Sequence, residues 1–156
     1  MKNRFVILAA MVLLARAAGA EELRVFAARD FQPALKEITQ LFVQQTGFEV
    51  GTSSGNSTVL AEKIIRGAKA DLFFPATESD MQLVVEKGLV DVALKRNVLR
   101  LPAAEPAGEE PAPEPEYAAA AVMLQAANRL QAMALLEFLV SEPARAVFAR
   151  HGFALP

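Results

Sequence analysis

The chain has 156 residues, with 16 Lys and Arg against 18 Asp and Glu, and no cysteine. This length suits one domain, and the lack of cysteine excludes disulfides and a lipid-anchoring cysteine. A net charge of −2 argues against nucleic acid as a partner.

Residues 1–20 read as a signal peptide. Lys2 and Arg4 form a basic start, residues 5–15 are apolar, and Ala18-Gly19-Ala20 fits a small-residue cleavage site. The apolar run is short for a transmembrane helix, and Arg16 is an unusual charge so close to the cleavage site. Without Lys2, Arg4 and Arg16, the basic residues fall to 13 against 18 acidic ones, a net charge of −5 over residues 21–156. The expectation is a free periplasmic protein.

Residues 21–102 alternate between strand and helix patterns. A short apolar strand at 23–27 leads to a helix at 31–45, where Phe31, Leu35, Ile38 and Phe42 share one face and predict a core stripe. Asp30 is placed to cap that helix, Pro33 fits its first turn, and Gly47 ends it. A second strand follows at 48–52. Next comes a hydroxyl-rich turn, then an amphipathic helix at 59–66 that stops near Gly67. Residues 72–74 form a third strand. Ser79-x-x-Gln82 reads as a capping box for a helix carrying Met81, Val84 and Val85, closed by Gly88. This alternation predicts an α/β fold, with a mostly parallel sheet and right-handed crossovers.

Residues 103–116 read AAEPAGEEPAPEPE, a composition with almost nothing to bury, and predict an extended linker. Residues 117–124 read either as a strand or as an alanine-rich entry into the next helix. Asn128-x-x-Gln131 is a second capping box, for a helix running to residue 140. Ser141, Pro143 and Gly152 bracket a last short helix.

The turn before residue 59 carries the chemistry. Ser53, Ser54, Ser57 and Thr58 surround Gly55 and Asn56 at the start of a helix. Free N–H groups, hydroxyl donors and a positive dipole end suit an oxyanion, while the same residues also serve as an ordinary N-cap. No nucleophile–base pair, dinucleotide fingerprint or phosphate-binding loop is present, so no enzyme activity and no cofactor are expected. His151 stands beside Gly152 near a helix end, which suits packing or dipole complementarity over metal binding.

Several motifs, in order, resemble the periplasmic molybdate/tungstate-binding proteins, the solute receptors of ABC importers. They are Val25-Phe-Ala-Ala-Arg-Asp30, Gly55-Asn-Ser-Thr-Val-Leu-Ala61, Gly67-Ala-Lys-Ala-Asp-Leu-Phe73 and Val85-Glu-Lys-Gly-Leu89. Near the C-terminus, Glu116-Tyr117, Leu136-Glu-Phe-Leu139 and Phe148-Ala-Arg-His-Gly-Phe153 continue the match. The resemblance covers residues 23–100 and 116–156. It implies a type II periplasmic-binding-protein fold, a small oxyanion as ligand and an ABC-importer permease as partner; oligomeric state stays open.

In that family the ligand lies between two hydroxyl-bearing turns of the first lobe and a second lobe. By resemblance, Ser57 is the ligand serine of the second turn, with Asn56 and Thr58 as weaker candidates that shape it. Asp30 stands where the first-turn serine is expected. An ionised Asp30 offers acceptors to an anion that needs donors, while Arg29 beside it could compensate. Asp71, in the family's Ala-Asp-Leu-Phe, is expected to orient loops. The stretch that would build the second lobe is absent, and residues 103–116 span the gap. The expected organisation is therefore a signal peptide at 1–20, first-lobe units at 21–102, a linker at 103–116 and C-terminal elements at 117–156 on the same lobe. Two rival readings remain: a binder of a protonatable oxyanion such as phosphate, and an interaction or scaffold protein that has lost ligand binding.

Overall fold

The computed structural model describes residues 21–102 and 114–156. The signal peptide expected at 1–20 and residues 103–113 of the expected linker lie outside the described residues. Strand β1 (Leu23–Ala28) leads through a 3-10 turn (Arg29–Phe31) into helix α1 (Gln32–Thr46). Then follow β2 (Val50–Gly55), α2 (Ser57–Ile65), β3 (Leu72–Phe74), α3 (Glu78–Glu86) and β4 (Val90–Arg100). After the Pro/Glu segment come β5 (Tyr117–Met123), α4 (Arg129–Leu139) and α5 (Glu142–Arg150).

The five strands form one sheet in the order β2-β1-β3-β5-β4. Both pairings of β1 are parallel, whereas β5 runs antiparallel to β3 and β4. Strand residues alternate between two covered faces. Leu72, Phe74, Ala118, Ala120 and Val122 join the core beneath α1, α4 and α5. Phe73, Ala119, Ala121 and Met123 join the core beneath α2 and α3. The predicted stripe of Phe31, Leu35, Ile38 and Phe42 is buried in the first core. There Phe31 stacks on Phe74, with ring centroids 4.5 Å apart. Phe42, Phe73, Phe74 and Phe148 are almost wholly buried, and burial of such a side chain contributes about 1.5–3 kcal/mol.

Several local expectations need correction. Asp30 does not cap α1. The 3-10 turn delays the helix to Gln32, its N-cap is Phe31 without a side-chain bond, and Asp30 lies one residue before that cap. Strand β2 begins at Val50 opposite Leu23 and continues through the hydroxyl run to Gly55 opposite Ala28. As an edge strand it tolerates the exposed Thr52 and Ser53. The cap of α3 is Thr77, two residues before the expected Ser79, and its hydroxyl accepts from the Asp80 N–H. Asn128 does open α4, but its side chain bonds elsewhere: it donates to Asp71 at 3.1 Å.

Strand β4 was not expected from the sequence. Its two register shifts against β5 break the alternation that marks a strand. The open choice at 117–124 resolves as strand β5. Its alanines lie between β3 and β4 with both faces covered, and burial there overrides alanine's helix preference.

Two polar clusters tie these layers together. Asp71 accepts from the backbone N–H of Arg24 (2.8 Å) and of Asn128 (3.1 Å) as well as from the Asn128 amide, so it joins β1, β3 and the start of α4. At the end of α5, His151 and Arg150 reach Glu37 on α1. The His151 hydrogen bond, seconded by the Arg150 charge, holds the Glu37 carboxyl below its ordinary 4.5.

Candidate functional site

The carboxyl ends of β1, β2 and β3 open into a cleft of about 350 Å³. This is where the strand order turns back: α1 crosses to one face and α2 to the other, and an open α/β sheet has its crevice at that point. Ala28, Arg29 and Asp30 form one wall, Gly55–Thr58 the second, and Ala76, Thr77 and Asp80 the third. The 3-10 turn before α1 and the N-termini of α2 and α3 thus face one volume, which concentrates unpaired N–H groups and positive dipole ends there.

All four candidate residues, Asp30, Asn56, Ser57 and Thr58, line this cleft. Their hydrogen bonds differ from the simple expectation. Asn56, not Ser57, caps α2: its side-chain oxygen accepts from Val59 N–H at 3.1 Å. Ser57 is only 6% exposed, and its hydroxyl oxygen accepts from the Ala76 N–H at 2.9 Å. The Ser57 hydroxyl proton has no acceptor among the described residues, and neither do the Ser57 and Thr58 backbone N–H groups. Three donors therefore remain at the start of α2.

The Thr58 hydroxyl is not one of them. It donates to Asp80 Oδ1 at 2.8 Å, and Thr77 Oγ1 donates to Asp80 Oδ2 at 2.8 Å. Asp30 is exposed at the rim beside Arg29, and its carboxylate makes no hydrogen bond among the described residues.

Thr77, Asp80 and the Ala76 N–H were not singled out from the sequence. The available signal was Thr77-x-x-Asp80, a capping box overlapping the Ser79-x-x-Gln82 pattern that was read instead. His151 pairs with Glu37 and does not line the cleft. Among the described residues, no group of three or more His, Asp or Glu side chains could hold a metal ion.

Beside the cleft, β4 leaves the sheet at Arg100 and β5 re-enters opposite it at Tyr117. The Leu101 N–H donates to the Glu116 carbonyl at 2.8 Å and closes the base of that excursion. The Pro/Glu segment thus starts and ends at the sheet end that bears the cleft.

The sequence profile of the bacterial extracellular solute-binding protein family matches residues 23–110 and 91–154. The two matches overlap over residues 91–110, which take in most of β4 and the start of the Pro/Glu segment. The molybdate-binding protein ModA of Escherichia coli is 35% identical over 78 residues, which are 50% of this chain but 30% of that protein. The periplasmic molybdate-binding protein of Azotobacter vinelandii superposes with a TM-score of 0.74 at 15% identity, covering 86% of this chain and 100% of that one. The sulfate-binding protein SubI of Mycobacterium tuberculosis superposes at 0.66 with 13% identity, over 85% of this chain and 86% of that one. At such identities the superpositions speak to the fold: a single lobe of the periplasmic-binding-protein type. The profile match covers most of the chain and the fold agrees with it, so the chain belongs to the bacterial extracellular solute-binding proteins, a family of solute receptors.

Proposed function

We propose that the chain is a non-enzymatic periplasmic receptor lobe, exported by residues 1–20, that binds molybdate or tungstate in the cleft and serves an ABC importer. The observation that carries this reading is the buried Ser57, whose unspent hydroxyl proton and N-terminal N–H neighbours face a cleft where helix N-termini converge. Similarity to a molybdate-binding relative supports the choice of ligand. Two or three charge-assisted hydrogen bonds of roughly 1.5–2 kcal/mol each sum to about 4–5 kcal/mol, a dissociation constant near millimolar. Calorimetric titration with molybdate is expected to show weak binding, and a sub-micromolar constant for the monomer contradicts the one-lobe account.

Ser57→Ala tests the site itself. The substitution removes a donor and strands the Ala76 N–H, so affinity falls and stability drops by roughly 1–2 kcal/mol. A stability loss with unchanged affinity would make Ser57 purely structural. The second reading, a phosphate-like oxyanion carrying a proton, draws support from the two carboxylates in the lining, Asp30 and Asp80.

A further inference from the structure

The cleft contains a buried carboxylate to which the molybdate reading gives no role. Asp80 lies in the first turn of α3, is 7% exposed, and shares the lining with Ser57 and Thr58. Its two oxygens each accept a threonine hydroxyl at 2.8 Å, from Thr58 and Thr77. No Lys or Arg pairs with it among the described residues.

A carboxylate held this way affects an incoming anion twice. It places negative charge in the lining of the cleft, beside Thr58, in surroundings that screen charge less than bulk water does. It also takes up two hydroxyl protons that an anion would otherwise receive. Each carboxylate oxygen keeps lone-pair capacity, so an anion that brings its own proton gains an acceptor. Molybdate, fully deprotonated at neutral pH, has no proton to give. We propose that Asp80 is a selectivity residue of the cleft, penalising a fully deprotonated tetrahedral dianion relative to an oxyanion that carries a proton. This rests on the oxyanion reading and adds a residue that sets its preference. Ser57, equally buried but with its proton unspent, keeps the cleft able to bind.

The test compares the native chain with Asp80→Asn and Asp80→Ser, each first shown by melting to be folded. Asn keeps an acceptor oxygen for one threonine and removes the charge. Ser is smaller and keeps a hydroxyl, so it decides the matter if Asn does not fold. All are titrated calorimetrically with sodium molybdate and with inorganic phosphate near neutral pH. Molybdate is expected to bind about tenfold tighter to the variants, while phosphate stays the same or weakens. If both constants remain within about twofold of native, a change that the loss of a nearby charge should exceed, Asp80 merely braces α3 and the inference fails while the oxyanion reading stands. If neither anion binds any of the chains, both fall together.

Discussion

Under the proposed reading, Asp30 is the side chain most at odds with a dianion in the cleft. It stands at the rim of the cleft, free of any capping bond, where a receptor for a dianion is expected to present a donor. Because it does not cap α1, replacing it removes no capping hydrogen bond, only a modest interaction with the helix dipole. Asp30→Ser is therefore expected to tighten molybdate binding about tenfold, worth about 1.4 kcal/mol in affinity, with little change in melting temperature. Calorimetric titration checks this, and equal constants for molybdate and for phosphate in both proteins would remove Asp30 from the site. The residues of this wall and the next were legible because they are consecutive: Asn56, Ser57 and Thr58 follow a strand and open a helix. Asp80 was not, because its bond to Thr58 spans 22 residues of chain. Only the pairing of β1 with both β2 and β3 brings the two helix starts together.

Between elements, the fold depends on a few buried polar connections. Asp71 is 3% exposed and satisfies N–H groups on β1 and at the start of α4. Asp71→Ala strands those donors and is expected to destabilise the chain by roughly 3 kcal/mol, while anion affinity in the folded protein stays the same. Denaturant unfolding measures the first part, and a loss below about 1 kcal/mol, the net worth of one ordinary hydrogen bond, would contradict it. The helices were legible because their apolar spacing matches their buried faces, as in the Phe31-to-Phe42 stripe. Strands β4 and β5 were less so. Bulges blur the pattern of β4, and β5 is an alanine run whose conformation is decided by its position in the sheet.

At the scale of the molecule, the described residues make one lobe with both sheet faces covered, and its cleft lies at the end where β4 departs and β5 returns. Among the described residues only one lobe lines that cleft, so under the proposed reading a ligand is gripped from one side and weak binding is expected in place of the tight grip of a closed receptor. The central claim is that an oxyanion sits at the start of α2. Amide NMR during a molybdate titration tests it most directly, since chemical shifts locate a ligand even at millimolar affinity. The account predicts saturable shifts clustered at Asp30, Asn56, Ser57, Thr58 and Ala76, the residues on the three walls of the cleft. Shifts centred instead on the other hollow, around Arg24, Lys69 and Asn128, or none up to about 10 mM molybdate, several times the expected constant, would contradict it.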